Sequence, residues 1–243
     1  MKAYISFILG ILLLISPTFA GAEMEGYEIV SSINEEKITL YGKKMGGMYR
    51  ELKVDFKGGI YTRPFWNSVT TPAFLPKIFY LDINLDEKKE LIITLTTGYG
   101  TGLLLEEVHV FNTLDNRLLG NEVIVDNPLA IIYKNVKTNL SKDHAEIRVR
   151  DKQYKINIAP LDIDSKNLFK DIIFGNIIDY EVMDNQLMVS VSGQIAPASF
   201  IGDIIITYEY RDNMYQAKTI DFIADMKKNP FYGPVTSSDI RVK

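Results

Sequence analysis

Alternation of apolar and charged residues is the sequence feature that most limits the fold of this chain. Residues 146–150 read Glu-Ile-Arg-Val-Arg, and after a two-residue turn the alternation resumes at Tyr154, Ile156 and Ile158. Successive side chains of a strand point to opposite faces, so this pattern predicts a β-hairpin with one buried and one solvated face. Because strand signals dominate the sequence, we predict an all-β or β-dominated protein. Its antiparallel hairpins are expected to form a propeller-like or two-sheet scaffold with one or two short helices.

Recurring Asp-Asn pairs predict where further hairpins turn, at residues 115–116, 184–185 and 212–213. The short side chains of Asp and Asn bond to nearby backbone groups and tolerate left-handed dihedral angles, as tight turns require. The glycine-rich residues 97–102 lack the Gly-Lys-Ser/Thr ending of a phosphate-binding loop. We expect them to be a flexible hairpin connection.

Two short helices are expected within this β framework. Asn127 can cap the first one, Pro128 suits its first position, and apolar residues follow at helical spacing: Leu129, Ile132, Val136 and Leu140. The second is expected over residues 167–173. Asp162 and Asp164 precede it and are interpreted as a helix-start cap.

The N-terminal residues predict export. Lys2 is followed by an apolar segment over residues 5–15, the helix breaker Pro17 and small residues suited to cleavage, so residues 1–22 are predicted to be a signal peptide. An uncleaved anchor is the alternative.

For the rest of the chain we predict a β domain over residues 23–160 and a C-terminal β-hairpin subdomain over 161–226, packed on the first. A flexible tail is predicted over 227–243, where Pro and Gly are followed by Ser.

Composition narrows the chemistry. The chain contains no cysteine, which excludes disulfides, iron–sulfur clusters, thiolate zinc sites and a cysteine nucleophile. Its formal net charge is −4 at pH 7 and its pI is about 5.3. We expect no nucleic-acid partner, because dedicated nucleic-acid binders are usually basic. No second apolar run reaches the length of about 20 residues that a spanning helix needs, so no membrane span is expected in the mature chain.

One acidic loop carries recognisable metal chemistry. Oxygen-bearing side chains occupy positions 1, 3, 5 and 9 of residues 82–90: Asp82, Asn84, Asp86 and Glu90. Calcium is a hard cation that takes six to eight oxygen ligands in flexible geometry. We predict a structural Ca²⁺ bound by these four side chains and the backbone carbonyl of Lys88, with Ile83 and Leu85 pointing away into the core. The alternative is an acidic, solvated turn between two strands.

This loop, its continuation over residues 91–102 and the segment 106–111 resemble the FG-GAP and VCBS-type calcium loops of extracellular β-propeller blades. The chain is similar to secreted Bacillus-type proteins with that repeat. The resemblance implies a structural calcium ion in a β scaffold, without catalysis.

Two further groups of residues have competing interpretations. His109 and Glu107 share one face of a predicted strand and could form an acid–base pair or two metal ligands, although a structural histidine is the simpler interpretation. The aromatic residues 61–66 and their neighbours could stack on sugar rings or anchor a protein partner. The alternative is that they pack into the core.

Together these features predict an exported, non-enzymatic β-protein stabilised by calcium, which binds an extracellular protein or a cell-wall polymer. The alternative is a secreted, carboxylate-dependent hydrolase acting on carbohydrate. An open cleft with two facing carboxylates, one of them desolvated, would favour the enzyme. A flat or convex surface with exposed aromatics near Trp66 would favour binding.

Overall fold

The computed structural model describes residues 24–119, 121–224 and 240–242. The predicted signal peptide lies outside these residues, and so does the predicted tail apart from residues 240–242. The first sheet is a four-stranded antiparallel meander in the order β1-β2-β3-β4. Its strands are β1 (Glu28–Ile33), β2 (Ile38–Met45), β3 (Met48–Phe56) and β4 (Gly59–Val69).

The second sheet has eight strands in the order β10-β17-β16-β15-β14-β7-β6-β5. Three of them precede the helical segment: β5 (Lys77–Leu81), β6 (Glu90–Gly100) and β7 (Leu103–Phe111). The others are β10 (Ile124–Val125), β14 (Ile173–Met183), β15 (Gln186–Ala196), β16 (Ser199–Arg211) and β17 (Met214–Ile223). Strands from both predicted domains therefore share one sheet, in which β14 lies next to β7. The boundary near residue 160 stays a prediction.

A third sheet has the order β11-β12-β13-β18, and a small two-stranded ribbon pairs β8 with β9. The strands of the third sheet are β11 (Val136–Leu140), β12 (His144–Val149), β13 (Lys152–Asn157) and β18 (Ile240–Val242), and those of the ribbon are β8 (Thr113–Leu114) and β9 (Arg117–Leu118). The described residues contain one α-helix, α1 (Pro128–Asn135), which leads directly into β11, and short 3-10 helices at Asn34–Glu36, Pro72–Phe74 and Ala159–Leu161.

The sheets form layers because both faces of the eight-stranded sheet are apolar. On β6, Leu91 and Ile93 pack into one core together with side chains of the first sheet. Ile92, which points the other way, belongs to a second core built with the third sheet, α1 and strands β15–β17. The predicted all-β class with layered antiparallel hairpins is confirmed. The described sheets do not close into a propeller.

The Asp-Asn turns are confirmed, and their dihedral angles explain why these residues occur there. In the β14–β15 turn Asp184 and Asn185 have φ values of 51° and 58°, and in the β16–β17 turn Asp212 and Asn213 have 53° and 62°. Two consecutive left-handed residues give a turn whose twist matches that of the flanking strands. The predicted hairpin of β12 and β13 also forms in register.

The first predicted helix begins as expected but is shorter. The Asn127 side chain accepts a hydrogen bond from the Ala130 backbone N–H at 3.1 Å, and Pro128 is the first helical residue. The helix ends at Asn135, and Val136 begins β11, which pairs with β12 over its whole length. The expected continuation to Leu140 is therefore wrong, because sheet pairing overrides the helical spacing of these apolar residues.

The second predicted helix is also wrong. Residues 165–171 form turns and bends, and β14 begins at Ile173. Asp164 accepts the Lys166 backbone N–H at 3.0 Å, so its side chain closes a local turn instead of capping a helix. A polar segment of this kind can satisfy its backbone groups through side chains without forming a helix.

Gly202 in β16 provides a test of the sheet geometry. It has φ of +137°, and a Cβ atom there would lie 2.3 Å from the Ile223 carbonyl oxygen and 2.8 Å from the Ala224 Cα. We expect Gly202→Ala to lower the free energy of unfolding by ~3–5 kcal/mol, because the clash is with backbone. Gly46→Ala, at φ +59° with open space around it, should cost only ~1–2 kcal/mol. Urea unfolding measures both, and equal losses would contradict the prediction.

Candidate functional site

The predicted calcium loop, residues 82–90, connects β5 to β6. β5 ends at Leu81 and β6 begins at Glu90, so the loop joins two neighbouring strands of the eight-stranded sheet. Leu85 and Glu87 have φ values of 64° and 69°, and these left-handed residues curl the backbone tightly. We refer to residues 82–90 as the acidic loop.

Asp82 organises this curl through its carboxylate. Its Oδ1 accepts hydrogen bonds from the backbone N–H groups of Leu85 at 2.6 Å and Asp86 at 3.2 Å. Its Oδ2 accepts the Glu87 N–H at 2.9 Å. One side chain therefore satisfies three backbone donors that the turn leaves without carbonyl partners.

Asn84 and Asp86 continue the same pattern. Asn84 Oδ1 accepts the Asp86 N–H at 2.8 Å, and Asp86 Oδ1 accepts the Lys88 N–H at 2.9 Å. Each bond closes a turn two residues long, for which Asn and Asp are well suited. Lys88 therefore contributes its N–H to the loop.

Glu90 is the buried member of the loop, with an exposed fraction of 1%. Its two oxygens accept hydrogen bonds from the Ile83 N–H at 2.9 Å and the Asn84 side-chain amide at 3.0 Å. Burial, with a smaller contribution from the negative charges of Asp86 and Asp82, raises the pKa of Glu90 to about 7 against the opposing effect of the hydrogen bonds. The carboxylates therefore lie close enough to repel one another.

The two apolar side chains between these oxygen donors, Ile83 and Leu85, differ in burial. Ile83 is buried and belongs to the core below the loop, as predicted. Leu85 is 77% exposed, so the expectation that it points into the core is wrong. Its left-handed backbone turns the side chain towards solvent.

Tyr215 of β17 lies within the electrostatic reach of the acidic loop. Its side chain is 1% exposed, and its hydroxyl is buried without a hydrogen-bond partner. Burial raises the pKa of Tyr215, and the charges of Glu90 and of the two loop aspartates add to this effect. This buried hydroxyl, within the electrostatic influence of three carboxylates, is a polar group that the protein alone leaves unsatisfied.

The donor chemistry of the loop suits a hard cation, since it offers carboxylate and amide oxygens in a short segment. A carboxylate that accepts one or two N–H groups keeps lone pairs for a metal. In the part of the chain that the structure describes, however, no three His, Asp or Glu side chains already converge as a metal-holding group. Calcium binding by the acidic loop thus stays a prediction.

A second candidate site arises where β7 and β14 separate. The two strands pair in parallel only at Leu104 and Leu105 of β7. Beyond this point the Glu106 carboxylate accepts the Tyr180 backbone N–H at 2.8 Å, in place of a strand neighbour. An open cavity of about 590 Å³ lies along the gap and is also lined by residues 122–125 and 127–129. We call it the strand-gap cavity.

His109 lines the strand-gap cavity and is 9% exposed. Its Nδ1 lies 2.6 Å from Glu122 Oε1, and its ring stacks on Trp66 with centroids 3.9 Å apart. The Nε2 atom has no hydrogen-bond partner and lies 3.8 Å from Glu107 Oε2. The stack and the Glu122 hydrogen bond together fix the orientation of the imidazole.

Glu106 is the desolvated carboxyl of the cavity. It is 8% exposed, and burial raises its pKa against the Tyr180 hydrogen bond and the charge of Lys77, whose Nζ lies 3.5 Å away. Asp179 adds to the raised pKa. The cavity thus combines one buried carboxyl group with the more exposed Glu107 and Glu122.

Sequence reasoning found part of this second site. It placed Glu107 and His109 on one strand face, which the pairing of Leu95 with Glu107 and Ile93 with His109 confirms. It missed Glu122, which lies in an irregular segment without strand or helix periodicity. Only the fold brings this residue to His109.

The aromatic segment divides between core and surface. Trp66 is buried against His109 and Phe111, whereas its neighbour Phe65 is 94% exposed. The core interpretation therefore holds for Trp66, and Phe65 is left on the surface of β4, the last strand of the first sheet.

No protein-family model matches the chain, and no curated protein matches it significantly. Among the described residues, no helix has the length and apolar character required to cross a membrane.

Glu106 makes the stability depend on pH in a defined direction. Because its folded-state pKa is raised above 4.5, ionisation costs more in the folded than in the unfolded protein, and stability falls as pH rises from about 4.5 through the raised pKa. We expect Glu106→Gln to remove the contribution of Glu106 to this decline. That contribution to the free energy of unfolding is about 1.4 kcal/mol for each pH unit by which the pKa is raised.

Urea unfolding from pH 4 to 8 measures the effect as the difference between the wild type and the variant. Glu181→Gln, at an exposed position of β14, serves as the control and should leave the pH profile unchanged. If the free energy of unfolding depends on pH in the same way in the wild type and in Glu106→Gln, the raised pKa of Glu106 is contradicted.

Proposed function

We propose that this protein is an exported, non-enzymatic β-protein that is stabilised by one structural Ca²⁺ and binds an extracellular or cell-envelope partner. The observation that carries the proposal is the acidic loop, in which three carboxylates and an amide fold into one tight connection between neighbouring strands. The buried Glu90 and the unpartnered Tyr215 hydroxyl support it.

Calcium would be held by the side chains of Asp82, Asn84, Asp86 and Glu90 and by the Lys88 carbonyl. Bound there, it would supply positive charge that offsets the repulsion among the carboxylates. Glu90 carries the clearest sign of that repulsion, because Asp86 and Asp82 both raise its pKa. Ion binding would then stabilise the junction of β5 and β6 and, through Ile83, the core beneath it.

Export and an extracellular partner are proposed from the sequence of residues 1–22 and from the resemblance of the loop to FG-GAP and VCBS loops. A partner could be another exported protein or a cell-wall polymer. The exposed Phe65 on the first sheet supports a surface contact, since exposed aromatics often anchor partners.

A carboxylate-dependent hydrolase is the second candidate, and one observation favours it. The strand-gap cavity is lined by the desolvated Glu106 and by Glu107 and Glu122, and glycoside hydrolysis uses a pair of carboxyl groups, of which the general acid has a raised pKa. A release assay for reducing ends on cell-wall polysaccharide tests it, with Glu106→Gln and Glu107→Gln as variants. Release that both variants abolish would support the hydrolase and contradict the non-enzymatic proposal.

Thermal unfolding in EDTA, in calcium and in magnesium tests the calcium site. Extracellular calcium modules bind with a Kd on the order of 10⁻⁴–10⁻³ M. At a hundredfold excess over Kd, calcium should add about 2.7 kcal/mol, which corresponds to a rise in Tm of about 5–10 °C for a chain of this size. Magnesium should give a smaller rise, because it demands stricter octahedral geometry.

Asp86→Asn should abolish most of the calcium-dependent rise in Tm. Asp184→Asn is the matched control, since Asp184 lies in the β14–β15 turn, far along the chain from the loop, and the substitution removes the same charge. Equal calcium shifts in both variants, or no shift in the wild type, would leave the acidic loop as an ordinary solvated turn.

A further inference from the structure

The strand-gap cavity is acidic on one side and apolar on the other. Glu106, Glu107 and Glu122 line it, and none of the lining residues is Lys or Arg. The apolar wall comes from β7, β14, α1 and the segment that precedes α1, and includes Leu105, Val123, Leu129 and Ile178. A cavity of this character favours a ligand with a positive charge and a hydrocarbon body.

The hydrogen bond between His109 and Glu122 determines which imidazole nitrogen carries the proton. An ionised carboxylate can only accept, so the hydrogen bond at 2.6 Å requires a proton on Nδ1. In the neutral ring Nε2 is then a lone-pair acceptor. This acceptor is buried and has no donor.

The nearest polar group to Nε2 is another acceptor. Glu107 Oε2 lies 3.8 Å from it, too far for a hydrogen bond to be formed between them. In the neutral ring both atoms are acceptors, so a donor that contacts both of them would give Nε2 the hydrogen bond that it does not make within the protein. An ammonium group provides up to three N–H donors together with a positive charge, whereas a hydroxyl provides one donor and no charge.

We propose that the strand-gap cavity binds an aliphatic ammonium group, with the nitrogen in contact with His109 Nε2 and with Glu107, whose exposed side chain moves to admit it, and the hydrocarbon chain along the apolar wall. The ligand is a free alkyl diamine or the side chain of a lysine in a peptide, which share this chemistry. The inference goes beyond the proposed function, which names no ligand, and it does not depend on calcium.

The ring orientation supports this assignment. The Trp66 stack and the Glu122 hydrogen bond hold the His109 ring from two directions. The ring is therefore ordered before a ligand binds, and binding costs little conformational entropy at this side chain. Glu107, which is 57% exposed, can adjust to the ligand. Glu122 acts as a positioning residue through His109.

Isothermal titration calorimetry with cadaverine tests the proposal on the full mature chain, in EDTA and again in calcium. The neutral analogue 1,5-pentanediol has the same carbon chain without charge. We expect cadaverine to bind at least tenfold more tightly than the diol, in both buffers. Equal affinities, or no binding of either compound, would overturn the proposal irrespective of the outcome for the calcium site.

Glu107→Gln should weaken cadaverine binding about tenfold or more, because a charge-assisted hydrogen bond is lost. Glu122→Gln should also weaken it, since an amide that donates to Nδ1 can shift the proton of His109 to Nε2. Glu181→Gln, outside the cavity, is the control and should bind as the wild type does. A loss in the control equal to that in Glu107→Gln would refute the site.

Proton NMR adds a readout that does not depend on the stability of these variants. The chain has two histidines, and His144→Gln leaves the signal of His109 alone. Cadaverine should shift this signal, and an unchanged signal at saturation would refute the contact. Titration with Nα-acetyl-lysine amide distinguishes the source: binding tighter than that of cadaverine indicates a lysine side chain, and weaker binding indicates a free amine.

Discussion

The structure depends on the short parallel junction between β7 and β14, because strands that precede α1 and strands that follow it meet there in one sheet. The backbone pairing covers only two residues on each strand, and the Glu106 carboxylate extends it by accepting the Tyr180 N–H. A side chain therefore takes the place of a strand neighbour at the point where the strands separate. The same separation opens the strand-gap cavity, so the junction that completes the sheet also creates the candidate binding site.

The layered architecture explains why polar groups near this junction are buried. Other parts of the structure cover both faces of β6 and β7 over much of their length, so neighbouring residues such as Ile92 and Ile93 both face a core although they point in opposite directions. Glu106 and His109 lie on opposite faces of β7, and both are buried. A carboxyl in such a position loses hydration on either side, which is why burial is the largest influence on the pKa of Glu106.

Local chemistry made much of the fold predictable from sequence, and long-range pairing made the rest unpredictable. The Asp-Asn turns, the β12–β13 hairpin and the Asn127 cap depend on residues that are neighbours in the chain. The end of α1 at Asn135 depends on pairing with β12, which the helical spacing of Val136 and Leu140 does not report. Likewise, the acidic loop was visible as a sequence motif, whereas the approach of Glu122 to His109 joins two elements through the fold alone.

The two candidate sites differ in which interactions the protein leaves unsatisfied. In the acidic loop each carboxylate already accepts backbone or amide N–H groups, so a cation would mainly relieve repulsion among like charges. In the strand-gap cavity the His109 Nε2 has no donor at all, so a ligand would supply a hydrogen bond that the protein does not make. An unmade hydrogen bond in a buried place costs more than a weakened one. A ligand that donates a hydrogen bond therefore gains the most binding free energy in the strand-gap cavity. In the acidic loop, a bound ion would instead stabilise the junction of β5 and β6.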